Sequence, residues 1–331
     1  MSRAREFADL AGSADAGGIT GRNLVVNGSF AISQRGASFS APNGTYTLDR
    51  MRCAQANSAD TISQQTFTAG QTDVPGSPKN FLRFAFGAAT ANRVLETRIE
   101  DVYTASGQSI TLSFYAKASS AHTSSIELTQ SFGSGGSSAV AFGTQNYDIT
   151  TSFQRFEFTL SCPSISGKTV GAGSYLSAAF VRSLSAGPSI NVDIALLKLE
   201  VGEQATPFEH RSFNDELTRC MRYFIQSSDD GDTSQFDGAN VIFGWGASTH
   251  NATTSAASGF QFKNKMRAVP TVTLFHQDGT SGAIYKVHDG SKITGVSAAN
   301  ISNQGVLQLS KSTGFNQGIG YYCSYQADAE L

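Results

Sequence analysis

Apolar and polar residues alternate in short runs through most of the chain from Asn23 onward. A two-residue period is typical of β-strands that bury one face in a core and leave the other face polar. Groups of Gly, Asn and Ser separate the runs at the spacing of hairpin turns. The pattern predicts strands over 24–26, 61–68, 81–86, 93–102, 109–117, 125–132, 153–160, 175–184 and 190–199, and in the second half over 240–245, 258–262, 271–275, 283–287, 305–309 and 320–326.

One of these strands and two of the segments between strands carry a further expectation. Charged residues interrupt the apolar positions of 93–102, which predicts a strand at the edge of its sheet. Gly and Ser fill residues 132–140 and 165–174. Because such segments bury little apolar surface, we expect both to be exposed, adaptable loops.

A helical period occurs at the start of the chain, where Phe7 and Leu10 lie three residues apart on one stripe. Gly17 and Gly18 end this stripe. A helix this short does not fold alone. It must therefore dock on its own domain, on a neighbouring copy or on a separate partner.

The other helical period lies in residues 190–224, which we call the connector. Pro207 ends the strand pattern, and Asp215 and Glu216 follow where a helix N-terminus favours acidic side chains. The helix carries an apolar stripe that consists of Leu217, Cys220, Met221 and Phe224. This narrow stripe is expected to pack either on copies of itself around an axis or on the chain's own domains.

Many short strands and few helices predict an all-β protein. We expect an N-terminal jelly-roll β-sandwich, a short connecting helix and a smaller C-terminal β-sandwich. The predicted boundaries are 1–22 for an N-terminal segment, 23–211 for the jelly roll, 212–226 for the connecting helix and 227–331 for the C-terminal head. A length of 331 residues allows each half a core of ordinary size.

Composition and charge argue against several classes of binding partner and location. Charged residues make up 15% of the chain, the net charge is −2, and no basic run occurs, which argues against nucleic-acid binding. No apolar segment is long enough to cross a bilayer, so membrane insertion is not expected. The first residues lack the apolar centre of a signal peptide, so we do not expect secretion.

Candidate chemistry is sparse. The four cysteines, at 53, 162, 220 and 323, lack metal-ligand spacing and are expected to be buried thiols. The five histidines are scattered, and no nucleophile elbow or phosphate-binding loop occurs. Residues 229–232 (DDGD) resemble a calcium loop superficially but lack its ligand order. We therefore predict a protein that is not an enzyme and that uses no metal or cofactor.

Aromatic side chains are the remaining candidates for contact with a ligand, because sugars stack their C–H faces on exposed rings. Most of the 23 Phe residues occupy alternating strand positions and are expected to lie in the core. The tyrosines that we expect to be better exposed are Tyr46, Tyr147, Tyr285, Tyr321, Tyr322 and Tyr325. The sequence does not select one of them.

Several stretches, in order, resemble phage tail-fibre and virion-associated proteins. Residues 23–30 (NLVVNGSF), 34–36 (QRG) and 48–50 (LDR) resemble the opening of a jelly-roll domain in phage structural proteins, with Met51 where the family often has Trp. Residues 199–209 (LEVGEQATPFE) and 216–224 (ELTRCMRYF) resemble the two motifs that follow it, with Lys198 in place of the usual Gln. Residues 266–272 and 327–331 are similar to the C-terminal head of such fibres. The first domain is also similar to carbohydrate-binding modules.

This resemblance implies a non-enzymatic virion structural protein, made in the host cytoplasm and placed on the exterior of the tail or capsid. It implies a homotrimeric tail fibre whose stripe of Leu217, Cys220, Met221 and Phe224 lies at the axis. Phe7 and Leu10 would anchor the N-terminal segment to other virion tail or capsid proteins. Host surface polysaccharide or glycan is the expected external partner, and the residues that would bind it are unknown.

Other classes remain open. A capsid decoration or head-fibre protein would have the same sequence features. A tailspike depolymerase is the enzymatic alternative, although the short-period repeats of a long β-helix do not occur. A cellular carbohydrate-binding module is the fourth candidate.

Overall fold

The computed structural model describes residues 21–40, 42–88, 92–183, 188–227, 244–245, 255–311, 315 and 319–331. Contacts divide the chain into two compact units. The first unit consists of the residues before Ile32, of Ser38–Ser212 and of Leu331. The second unit consists of Ile32–Ala37 and Phe213–Glu330. The connecting helix and the segment Ile32–Ala37 therefore belong to the second unit, whereas the predicted jelly roll was continuous from residue 23. The predicted anchor residues Phe7 and Leu10 and the acidic residues 229–232 lie outside the described residues.

The described part of the first unit is built from strands. They are β1 (Ser38–Ser40), β2 (Thr45–Tyr46), β3 (Met51–Gln55), β4 (Thr61–Thr66), β5 (Asn80–Phe86), β6 (Arg93–Glu100), β7 (Ser109–Ala118), β8 (His122–Ser131), β9 (Val140–Ile149), β10 (Gln154–Ser161), β11 (Tyr175–Ser183) and β12 (Ile190–Val201). Apart from the first strands and β9, which the sequence did not predict, the bounds follow the predicted runs closely. Alternating residues favour the pleat wherever one face is buried.

Two six-stranded antiparallel sheets form from these strands. The first sheet has the order β1-β4-β5-β12-β7-β10, and the second has the order β2-β3-β6-β11-β8-β9. Their inner faces share one core, in which Phe84, Leu128 and Ile194 are fully buried. The predicted all-β jelly-roll sandwich is confirmed. The prediction that residues 93–102 form an edge strand is wrong, since β6 lies between β3 and β11.

Strand β12 lies inside the first sheet and is buried along almost its whole length. Its charged residues are therefore paired. Lys198 and Glu200 are each 1% exposed, and Lys198 Nζ lies 3.1 Å from Glu200 Oε2. The backbone N–H and the hydroxyl of Thr206 donate to Glu200 at 2.8 and 2.7 Å. Arg83 donates to both oxygens of Asp193 at 2.7 and 2.9 Å.

Asn23 secures an irregular point in β12. The register of β12 against β7 shifts between Ala195 and Lys198, which leaves backbone groups without a regular partner. Asn23 Oδ1 accepts from the N–H groups of Val25 (3.0 Å) and Leu199 (3.1 Å), and its Nδ2 donates to the carbonyl of Leu197 (3.1 Å). The prediction of a strand over 24–26 is wrong, since a turn begins at residue 26. The segment is joined to β12 by the Asn23 side chain and by the backbone N–H of Leu24, which donates to the carbonyl of Leu199 at 2.8 Å.

Two residues of the connector, Glu209 and Arg211, bind the backbone of residues 21–23. Glu209 Oε2 accepts from the backbone N–H groups of Gly21 (3.0 Å) and Arg22 (3.3 Å). Arg211 donates to the carbonyl of Asn23 at 3.1 Å. Residues that are about 190 positions apart in sequence therefore form one clasp around residues 21–23.

The two loops predicted to be adaptable are bonded to each other. Ser134 N–H donates to the carbonyl of Ala172 (2.9 Å), and Gly171 N–H donates to that of Phe132 (2.7 Å). A Cβ atom on Gly171 would lie 2.0 Å from the carbonyl oxygen of Ser134. Glycine is therefore required for close backbone approach here. The two loops are largely exposed, as expected, and they are bonded to each other.

The second unit contains one described helix, α1 (Phe213–Met221), and further strands. These are β13 (Phe224–Gln226), β14 (Gly244–Trp245), β15 (Ser255–Gln261), β16 (Thr271–Phe275), β17 (Ala283–Lys286), β18 (Lys292–Thr294), β19 (Ser297–Ser302), β20 (Gly305–Lys311), β21 (Gly320–Tyr322) and β22 (Ser324–Asp328). They form three small antiparallel sheets, β13-β22-β16, β14-β21-β17-β18 and β15-β20-β19, around a second core. This agrees with the predicted smaller C-terminal β-domain.

Arg35 comes from the N-terminal part of the chain and joins β13 to the end of the second unit. Its guanidinium lies 3.6 Å from the ring centre of Phe224 and pairs with Asp328 (3.2 Å) and Glu330 (3.3 Å). Gln34 Nε2 donates to the carbonyl of Phe224 at 2.9 Å. The QRG stretch is therefore part of the second unit's structure.

Asn23→Ala should lower the free energy of unfolding by about 2–4 kcal/mol, because it leaves two N–H groups and one carbonyl of a buried segment without partners. Chemical denaturation monitored by circular dichroism measures this change. Asn146→Ala, at an exposed position of β9, is the control and should change stability by less than about 0.5 kcal/mol. Equal stability of the two variants would contradict the role of the Asn23 side chain in securing β12.

Candidate functional site

A groove of about 350 Å³ lies on the outer face of the second sheet of the first unit. Strands β3, β6, β11 and β8 form its floor. Its lining includes Gln55, Val94, Glu96, Glu127, Ala179 and Arg182. We call this feature the groove.

Strand register places the two glutamates of the groove. Ala179 of β11 lies opposite Glu96 of β6 on one side and opposite Glu127 of β8 on the other. Directly opposed residues share a face of the sheet. The small side chain of Ala179 thus leaves a hollow between two carboxylates that stand about two strand spacings, or ~10 Å, apart.

A register shift in β11 determines the face on which Arg182 lies. The register of β11 shifts beyond Ala179 against both neighbouring strands. Phe180 is fully buried in the core, and Arg182 returns to the outer face opposite Val94. A regular alternation would have moved these side chains to other faces.

Glu96 is held by three donors. Arg52 Nη1 and Arg98 Nε each lie 2.9 Å from Glu96 Oε1, and the hydroxyl of Ser177 donates to Oε2 at 2.6 Å. The Glu96 side chain is only 11% exposed. Both of its oxygens act as acceptors, so the carboxylate is a fixed part of the floor.

Glu127 and Arg182 are held less tightly. Arg182 Nη2 lies 3.4 Å from Glu127 Oε2, and the hydroxyl of Thr144 donates to the same oxygen at 3.0 Å. The Arg182 side chain is 21% exposed and the Glu127 side chain is 24% exposed. This pair therefore offers polar atoms to a molecule in the groove, which the Glu96 network does not.

Arg98 links the Glu96 network to aromatic residues. Its guanidinium lies 4.2 Å from the ring centre of Tyr175, and its Nη1 donates to the carbonyl of Leu331 at 2.5 Å. The hydroxyl of Tyr46 donates to the same carbonyl at 2.9 Å. Tyr46, which the sequence predicted to be exposed, is half-buried.

The other tyrosines predicted to be exposed are divided by the structure. Tyr147, Tyr321 and Tyr325 are buried, so that expectation is wrong for them. The hydroxyl of Tyr147 donates to the carbonyl of Phe180 at 2.6 Å, and burial raises the pKa of this phenol well above its usual range. Tyr285 and Tyr322 are half-buried on paired strands, with their ring centres 6.2 Å apart.

The predicted contact residues of the connector have different environments. Helix α1 ends at Met221, so Phe224 lies in β13, where Arg35 covers its ring. Cys220 and Phe224 are buried, and Met221 packs against the second core. These three residues contact their own unit, and Leu217 is half-buried on α1. The predicted contact between copies therefore stays a prediction, with Leu217 as its best placed residue.

The remaining candidate chemistry is structural. All four cysteines are buried and free, and burial raises the pKa of Cys53 and Cys323 to about 12, so these thiols are poor nucleophiles. Within the described ranges, no group of three or more His, Cys, Asp or Glu side chains is arranged to hold a metal ion. In the same part of the chain, no helix is long and apolar enough to span a bilayer.

Comparisons with known proteins give structural likenesses. No family model matches the chain, and no curated protein matches it. Solved structures with a similar arrangement include a candidate sugar-binding protein from Bacteroides thetaiotaomicron (15% identity, TM-score 0.39, covering 55% of this chain and 100% of that one). Another is the family 11 carbohydrate-binding module from Clostridium thermocellum in complex with a mixed-linked tetrasaccharide (10% identity, TM-score 0.32, 51% and 99% coverage).

A third similar structure is the enzymatically active domain of tailspike protein 4 from bacteriophage CBA120. It has 14% identity and a TM-score of 0.35, and the match covers 54% of this chain and 21% of that one.

Glu96→Ala should lower the free energy of unfolding by about 1–3 kcal/mol, because two arginines and a serine on one face lose their shared acceptor. Thermal and chemical unfolding measure the change. Glu157→Ala is the matched control, since its side chain is 45% exposed and pairs with Arg155 on the surface, and it should cost less than about 1 kcal/mol. If the two variants were equally stable, the Glu96 network would not be a structural element.

Proposed function

We propose that this protein is a non-enzymatic structural protein of a phage virion that contacts host surface glycans through the groove. The observation that carries the proposal is the pair formed by Glu127 and Arg182 beside the fixed Glu96 network. Sugars present hydroxyl groups that both donate and accept. A carboxylate and a guanidinium at one site supply both complements.

The geometry of the groove suits a saccharide better than a large apolar ligand. Ala54, Val94 and Ala179 give it a shallow floor of small side chains, and polar groups surround that floor. Saccharides are bound by a few well-placed polar groups together with a modest apolar contact. The face also remains open across several strands, which accommodates a chain of sugar residues.

The carboxylates of the groove favour binding over hydrolysis. A glycosidase requires one carboxylic acid that donates a proton to the leaving group. Both oxygens of Glu96 accept hydrogen bonds from donors within 2.9 Å, and Glu127 accepts from Thr144 and faces Arg182. Neither group is placed as a proton donor, which supports a protein that is not an enzyme.

The place in the virion and the trimeric state rest on the order of the sequence motifs. The motifs that resemble phage fibre proteins supply structural contacts in both units, including those of Asn23, Arg35 and Glu209. We propose a homotrimeric tail fibre in which residues 1–22 attach to other virion proteins. Leu217 on α1 would contribute to the contact between copies.

Ala179→Leu should abolish glycan binding, because the larger side chain fills the hollow between Glu96 and Glu127 without changing charge. Binding to a panel of purified capsular and O-antigen polysaccharides, measured by biolayer interferometry, tests this. Ser161→Leu, at an exposed position on β10 in the other sheet, is the control and should bind like the wild type. Unchanged binding by Ala179→Leu would place the glycan contact elsewhere.

Leu217→Asp should weaken a trimer, because it puts a charge into an apolar contact between copies. Native mass spectrometry of the wild type should give a trimer, and the variant should give more monomer at equal concentration. Thr218→Asp, at the neighbouring exposed position of α1, should remain trimeric. A monomeric wild type, or a trimer unaffected by Leu217→Asp, would contradict the proposed assembly.

A further inference from the structure

We infer that the groove selects an acidic polysaccharide and binds the carboxylate of a uronic or sialic acid through Arg182. This inference rests on the proposed function, since it names the class of glycan that the same groove takes. Its starting point is the supply of hydrogen-bond donors around Arg182, which exceeds what the protein itself uses.

Arg182 has unused donors. A guanidinium carries five N–H groups in a planar fork. Among the described residues, the one polar contact of this side chain is that of Nη2 with Glu127 Oε2, at 3.4 Å. Because the fork fits the two oxygens of a carboxylate, Arg182 can pair with a ligand carboxylate and keep its contact with Glu127.

Two amides add donors at the same end of the groove. Gln55 lies opposite Val94, and Val94 lies opposite Arg182, so the three residues form one row across β3, β6 and β11. Asn92 lines the groove beside them. Both amide side chains are exposed, and neither makes a hydrogen bond to another described residue. A sugar ring above Val94 would therefore have donors on both sides.

The other arginines beside the groove are already engaged. Arg52 and Arg98 both pair with Glu96, so Arg182 is the arginine of these two networks that is left for an anion. Glu127 is partly neutralised by Arg182 and Thr144, and it can accept a hydroxyl hydrogen of the ligand. Uronic and sialic acids carry a carboxylate together with hydroxyl groups, as this arrangement requires.

The lining argues against a neutral sugar as the preferred ligand. Neutral pyranoses gain much of their affinity by stacking on an aromatic ring, and none of the described residues that line the groove is aromatic. Charge-assisted hydrogen bonds are the stronger remaining source of affinity. A ligand without a carboxylate would leave the fork of Arg182 without its best partner.

The test uses the full chain with polygalacturonate, alginate and polysialic acid, each beside its own carboxyl-reduced form. At least one acidic polymer should bind, and its reduced form should bind at least about tenfold weaker, because it keeps the hydroxyl groups but loses the charge. Binding should also weaken as sodium chloride is raised, as expected for a partly exposed ion pair. This comparison requires no mutation and is independent of folding effects.

Variants then locate the contact. Arg182→Gln should reduce affinity for that polymer by at least about tenfold, and Arg182→Lys should be intermediate because it keeps the charge but loses the fork. Arg155→Gln, at an exposed ion pair on β10, is the control and should bind normally.

The outcomes separate the two proposals. If carboxyl-reduced polymers bind as tightly as the acidic ones, or if only dextran or mannan binds and Ala179→Leu abolishes that binding, the groove is a glycan site but the inference is wrong. If Arg182→Gln folds normally and still binds the acidic polymer, the inference is also wrong. Absence of binding to every polysaccharide would overturn both proposals.

Discussion

The first unit depends on one constraint, which is that the polar groups of β12 must find partners inside the protein. This strand is central in its sheet and buried on both faces, yet it contains Asp193, Lys198 and Glu200 and an irregular register. A buried charge or amide without a partner costs several kcal/mol. The partners come from other parts of the chain: Arg83 from β5, Thr206 from the segment that follows β12, and Asn23 from the start of the unit.

This constraint explains why separate sequence motifs occur together. Residues 23–30 contribute Asn23, which bonds to β12, and residues 199–211 contribute Glu209 and Arg211, which bond to residues 21–23. The QRG stretch has an analogous role in the second unit, where Arg35 stacks on Phe224 and pairs with residues near the end of the chain. The conspicuous motifs are therefore structural, and the residues of the groove lie in stretches of ordinary appearance.

The groove is a polar site on the outer face of one sheet of the sandwich. Glu96 holds its floor, and both oxygens of Glu96 accept hydrogen bonds. Arg182 lies at its open end, and most of its N–H donors have no partner among the described residues. A rigid floor beside a partly unsatisfied cation favours recognition, because the ligand meets groups that are already in position. The proposed contact with glycans follows from this contrast between two neighbouring ion-pair networks.

Periodicity in the sequence determined the all-β class, nearly every long strand and the position of the connector, since these depend on which residues alternate and where Pro and Gly interrupt. It placed β6 wrongly at an edge, because charges on the outer face of an interior strand have the same pattern as charges on an edge strand. It also extended the helical stripe to Phe224, which the tertiary structure assigns to β13.

The groove itself could not be predicted. Glu96, Glu127 and Arg182 come from three strands, and they meet because of the strand order and the register shift beside Ala179. A pattern along the chain reports on which face a residue lies, but not on which strand lies beside it. The sequence alone therefore determined the sandwich and its joint, whereas strand pairing, a long-range property, decided which charges share a face.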